Sequence, residues 1–164
     1  MSMLPGEALL SLTDAIPCRE LQIRQLSALL GDPLPSTLIV HGVKATGKSL
    51  TIRALLDAVD TPSTVVLSQE CITTRHLLER AITSIQNVLS NVGMAEGESI
   101  GNRRCESISP FVVELQQLLE GRGRFIVVFD GIDRQREAAT TLLPALARLG
   151  ETVSLRPILL KCRV

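Results

Sequence analysis

Apolar positions along the chain change their period from one segment to the next. From Arg19 to Leu30 they fall at Leu21, Ile23, Leu26, Leu29 and Leu30, near helical spacing, and Gly31 with Pro33 ends the run. Thr37-Leu38-Ile39-Val40-His41 is short, β-branched and almost continuously apolar, which predicts a buried strand. Lys48 to Val59 returns to helical spacing through Leu50, Ile52, Leu55, Leu56 and Val59, and Thr64-Val65-Val66-Leu67 predicts the next strand. The clearest helix runs from Ile72 to Leu89, with Leu77, Leu78, Ala81, Ile82, Ile85, Val88 and Leu89 on one stripe. Asn91 to Ser109 is rich in Gly, Ser and Glu and is expected to be a solvated insertion; Arg103-Arg104 within it is too small a charge group for a nucleic-acid patch.

A helix follows from Pro110, which suits a first-turn position, with Phe111, Leu115, Leu118 and Leu119 on its inner face. Phe125 to Asp130 is the most apolar strand and ends on its only acid. A helix from about Gln135 to Leu149 should kink or restart at Pro144. Thr152 to Leu160 is a candidate fourth strand, although Pro157 argues against central pairing. Strands that alternate with helices, each strand apolar throughout, predict a parallel sheet covered on both faces: an α/β, three-layer fold.

At 164 residues there is room for one domain. With three Phe, no Trp and no Tyr, the core must be aliphatic, and the stacking platforms of a single-strand binder are missing. Seventeen basic residues balance seventeen acidic ones, so unaided binding of duplex DNA is not expected. Cys18, Cys71, Cys105 and Cys162 form no CxxC pair and read as reduced thiols. No apolar run has the roughly 18 residues of a membrane span, so no membrane partner is expected.

The chemistry concentrates in Gly42-Val43-Lys44-Ala45-Thr46-Gly47-Lys48-Ser49, which satisfies G-x-x-x-x-G-K-[ST] between a predicted strand and a predicted helix. Loop amides and the helix N-terminus, extending to Leu50, would converge on the phosphates of a nucleoside triphosphate, most simply ATP. Lys48 would meet the β- and γ-oxygens, and the Ser49 hydroxyl would ligate magnesium. Asp130, at the carboxyl end of its strand, is the candidate second magnesium ligand. His41 reads as a strand-end residue and Lys44 as solvent-facing or phosphate-reaching. The position after Asp130, where many P-loop ATPases carry a glutamate base, is Gly131. Asp133 and Glu70 are the alternative bases if hydrolysis occurs. The expectation is binding with little turnover and no catalytic residue.

Pro17-Cys18-Arg19-Glu20-Leu21-Gln22-Ile23, the phosphate loop, Glu70-Cys71-Ile72-Thr73-Thr74-Arg75 and Leu142-Leu143-Pro144-Ala145-Leu146-Ala147-Arg148-Leu149 together resemble the subunit 5 family of the eukaryotic origin recognition complex, within the AAA+ initiator-type ATPases. The resemblance runs from about Pro17 to Glu151. It implies an ATP- and magnesium-binding, essentially non-hydrolysing subunit of a nuclear hetero-oligomer that reaches DNA through the complex and supports replication initiation. It also places Ile16 and Pro17 near the adenine, with core packing as the equal alternative. On this reading residues 1–16 are an N-terminal segment and 17–164 a partial AAA+ domain that stops before the fifth strand and lid. An exposed edge at Leu38-Ile39-Val40 would follow. A truncated interaction fragment that binds no nucleotide is the remaining alternative.

Overall fold

The computed structural model describes residues 6–31, 37–92, 105–122, 124–134, 141–152 and 158–161. Four parallel strands form one sheet, β1 (Thr37–Val40), β2 (Ser63–Leu67), β3 (Ile126–Asp130) and β4 (Ile158–Lys161), in the order β1-β4-β3-β2. Helices α1 (Gly6–Ala15), α2 (Glu20–Leu29) and α3 (Lys48–Ala58) cover one face; α4 (Thr74–Asn91), α5 (Ile108–Leu119) and α6 (Leu143–Thr152) cover the other.

The pleat of β3 shows why the sheet needs both layers. Ile126 and Val128 are buried with Ile23, Ile52 and Leu55 under α1–α3, whereas Val127 and Phe129 are buried with Leu77, Ile85 and Phe111 under α4–α6. Alternate residues of a strand face opposite ways, so an unbroken apolar strand is stable only with a core on each side.

The helical stripe predicted for α4 is the one buried, apart from Val88, which is partly buried against it. The helix begins later than the pattern suggested: Thr73 is the N-cap, its Oγ1 accepting from the His76 amide at 3.2 Å, and Ile72 lies before it, 92% exposed. In α2 the buried face is Ile23, Ser27 and, just past its end, Leu30, at i, i+4 and i+7. Leu21 and Leu29, expected on that face, are 64% and 45% exposed. A buried serine had displaced two leucines from the stripe, which a reading by hydrophobicity alone overlooks.

Other boundaries also differ. Helix α1 is an element that the apolar pattern does not predict; its Leu12 is buried, with Ala8 and Leu9 packed against the same cluster. Residues 93–104 of the expected insertion lie outside the described residues; of the rest, Cys105 is buried and α5 already starts at Ile108. The helix expected from Gln135 is described only from a π-helical turn at 141–142 onward, with Pro144 in the first turn of α6. Pro157 does not prevent central pairing: β4 begins one residue later and pairs with both β1 and β3.

Among the described residues β1 is the sheet edge beyond β4, and Ile39 on it is 54% exposed. It is fastened to the α4–α6 layer by Thr37 Oγ1, which donates to the Ala147 carbonyl at 2.8 Å. Among the described residues no helix is long and apolar enough to cross a membrane.

Candidate nucleotide-binding site

Strand β1 leads into the loop of residues 41–47, and α3 begins at Lys48. The loop takes positive φ at Gly42 (147°), Ala45 (64°) and Gly47 (80°), the last being the N-cap of α3. Left-handed residues interspersed in a short turn form the backbone nest that holds an anion against successive amides. No atom lies within 4 Å of a Cβ built on Gly47, so its glycine is required by conformation and not by crowding.

Lys48 folds back over this loop. Its Nζ donates to the Gly42 carbonyl at 2.6 Å, to the Val43 carbonyl, and to Thr46 Oγ1 at 3.3 Å. Thr46 Oγ1 in turn donates to the Val43 carbonyl at 2.9 Å. The ammonium therefore sits over the concave turn, half-buried, where an incoming phosphate would exchange its oxygens for the loop carbonyls. Ser49 is the next residue of α3 and is half-buried; Val43 and Leu50 are largely exposed, as are Lys44 and His41. Thr51 anchors the start of the helix, its amide and Oγ1 both donating to the Gly47 carbonyl.

At the carboxyl edge Asp130 is in register with Leu67 on one side and Lys161 on the other, and Lys161 is in register with Val40. Asp130 thus ends a strand two positions from the loop-bearing strand, about 10 Å away at the usual spacing. Among the described residues no group of three or more His, Cys, Asp or Glu is assembled. A divalent ion here would find a hydroxyl and a carboxylate at most and would complete its shell with phosphate and water oxygens. That donor set suits magnesium, which is commonly held by one or two protein oxygens and its substrate.

Gly131 follows Asp130 with φ 74°, in the left-handed region. A side chain there would be strained, so the backbone as well as the chemistry of the residue argues against a base at 131. Asp133 is exposed on the short 3₁₀ turn Ile132–Arg134, whose Ile132 is fully buried. Glu70, at the turn after β2, is engaged by the Arg80 guanidinium. Cys71 beside it donates its thiol to the Leu67 carbonyl, and burial raises its pKa, against the lowering influence of Arg80.

Ile16 is buried in the α1–α3 core with Leu12, Ile23 and Leu30, whereas Pro17 is exposed. The packing alternative therefore describes the surroundings of Ile16. Arg19, whose Nη2 donates to the Thr46 carbonyl at 2.7 Å, joins the loop from outside the motif. Pro-x-Arg-Glu marked the residue, but no local pattern reveals a partner 27 positions away.

The comparisons agree with this architecture. The AAA ATPase domain family matches residues 15–160. Origin recognition complex subunit 5 of Homo sapiens is 29% identical over 85% of this chain, and that of Drosophila melanogaster 29% identical over 88%. The chain spans about a third of the length of these relatives, 33% and 32%. Among solved structures, a Walker-type ATPase of Pyrococcus abyssi superposes with a TM-score of 0.66 at 23% identity, over 90% of this chain and 46% of that one. The ORC1 protein of Aeropyrum pernix, solved in complex with DNA, gives 0.63 at 22% identity, over 96% and 42%. These last two likenesses show the fold alone. The chain belongs to the AAA ATPase domain family, as an AAA+ protein similar to origin recognition complex subunit 5.

Proposed function

We propose that this chain binds ATP with magnesium in the loop Gly42–Ser49 and serves as a subunit of an origin recognition complex, its nucleotide supporting assembly and not turnover. The observation that carries the nucleotide reading is the Lys48 ammonium folded over a loop with three positive-φ residues at the N-terminus of α3. Lys48 neutralises β- and γ-phosphate charge, the loop amides orient the chain of phosphates, and Ser49 and Asp130 hold magnesium. Bound magnesium would supply charge neutralisation across those oxygens. Ile16 and Pro17 lie on the adenine side by family resemblance, Ile16 through the packing of the segment and Pro17 at the surface. Gly131 supports low turnover, since it offers no side chain to activate water. Similarity to subunit 5 supports a nuclear hetero-oligomer that contacts DNA only in company with the other subunits.

The test is magnesium-dependent ATP binding to wild type and Lys48→Ala, with phosphate release measured in parallel. Loss of charged hydrogen bonds worth about 1.5–3 kcal/mol each predicts affinity weakened by about tenfold to a hundredfold or more. Equal affinity in both proteins would refute the site. Steady phosphate release by wild type, abolished by Asp133→Ala or Glu70→Ala, would replace assembly with catalysis.

A further inference from the structure

Pro17-Cys18-Arg19-Glu20 has a local geometry that packing alone does not explain. Cys18 adopts φ 62°, a left-handed conformation that a residue with a Cβ rarely takes. Its amide donates to Glu20 Oε1 at 3.2 Å, which fixes the turn. Arg19 then occupies the N-cap of α2 (φ −131°, ψ 12°) without capping it. The positions favoured for N-capping residues carry Ser, Thr, Asp or Asn because they accept from the first-turn amides, and a guanidinium has no acceptor. The helix forgoes a cap, and the arginine side chain is used elsewhere, on the Thr46 carbonyl at 2.7 Å.

That carbonyl belongs to the peptide joining Thr46 to Gly47, the N-cap of α3. A trans peptide is planar, with its C=O and N–H pointing in opposite directions. Holding the carbonyl toward Arg19 therefore turns the Gly47 amide away from Arg19. Gly47 is at φ 80°, with nothing within 4 Å of where a Cβ would sit, so no side chain at 47 restrains this plane.

We propose that Arg19 is a positioning residue that sets the Thr46–Gly47 peptide plane and so joins the segment preceding α2 to the phosphate loop. This deepens the nucleotide reading and rests on it. Arg19 touches the backbone of the loop and acts on the ligand through the amide it orients. The segment at 17–20 and the loop then move as one unit, and occupancy of the loop is felt at the start of α2.

Hydrogen–deuterium exchange of the peptide covering residues 43–49, in the nucleotide-free protein, and equilibrium binding of magnesium-ATP are compared for wild type, Arg19→Ala and Arg19→Lys. Arg19→Ala is expected to exchange faster in this peptide and to bind ATP about tenfold more weakly. Arg19→Lys, which still donates to the carbonyl, is expected to stay within about threefold of wild type. Exchange and affinity unchanged in Arg19→Ala would overturn the inference. So would weaker binding with unchanged exchange, which would mean that Arg19 contacts the ligand itself. If Arg19→Ala does not fold, a Lys variant with wild-type exchange supports the inference, and one with faster exchange and wild-type affinity overturns it. If wild type binds no ATP, the nucleotide reading falls, and the exchange comparison still decides whether Arg19 holds the loop.

Discussion

Ala45 is the one phosphate-loop position at which a residue with a Cβ holds positive φ, 64°. Replacing it by glycine should stabilise the protein. A left-handed conformation costs an L-residue about 1–2 kcal/mol, and Ala45 is exposed, so removing its methyl group forfeits little burial. Against this, glycine gives the unfolded chain more freedom, worth about 0.4–1 kcal/mol. The difference is a net stabilisation of about 0.5–1 kcal/mol, or about 1–4 °C in Tm for a domain of this size. Ala45→Val, β-branched at the same φ, should lose more than about 1 kcal/mol. Urea unfolding followed by circular dichroism, with equal slopes in all three proteins, reads these differences as shifts in midpoint. A less stable Ala45→Gly variant, or a Val variant as stable as wild type, would show that the loop does not pass through the left-handed region at 45.

The remaining predictions concern the α4–α5 face. Burial raises the pKa of both Cys71 and Cys105, with Glu114 and Glu79 adding to the rise at Cys105. The stability these neutral thiols contribute is present below the ordinary value of 9.0 and lost as pH rises through their higher folded values. Denaturation midpoints between pH 8 and pH 11 should therefore fall less steeply in a Cys71→Ala/Cys105→Ala variant; parallel slopes would contradict this. Thr73→Ala removes the cap of α4 and should cost about 1 kcal/mol, measured by the same unfolding assay, while Thr73→Ser, which keeps the accepting oxygen, should lose less; equal losses in the two would contradict the cap.

The parts legible in the sequence were those set by short-range pattern. Phe125 to Asp130, short, rich in β-branched residues and apolar up to its acid, reads as a doubly covered strand, and the glycine and lysine spacing at 42–48 names its chemistry locally. What stayed hidden depends on which surfaces meet. Ser27 is buried because α2 turns that face to α1 and α3, whereas Leu21 points outward. Arg19 and Thr46 are joined only by the fold. Helix α1 carries only a weak signal: Leu9 and Leu12, with Ile16 just past its end, are spaced at i, i+3 and i+7, but the helix is short and Leu10 on another face is exposed.

The placement of β1 fixes an order of events. Among the described residues its sheet partner is β4 alone, and its tie to α6 spans 110 positions of chain. Contacts that distant form late, because the intervening chain must be ordered before they are rewarded. β2 and β3 can pair and bury Phe129 while β1 is still unattached. The phosphate loop, written early in the sequence, should thus gain its anchorage in the sheet late, and a growing chain is expected to carry β1 unpaired until β4 arrives.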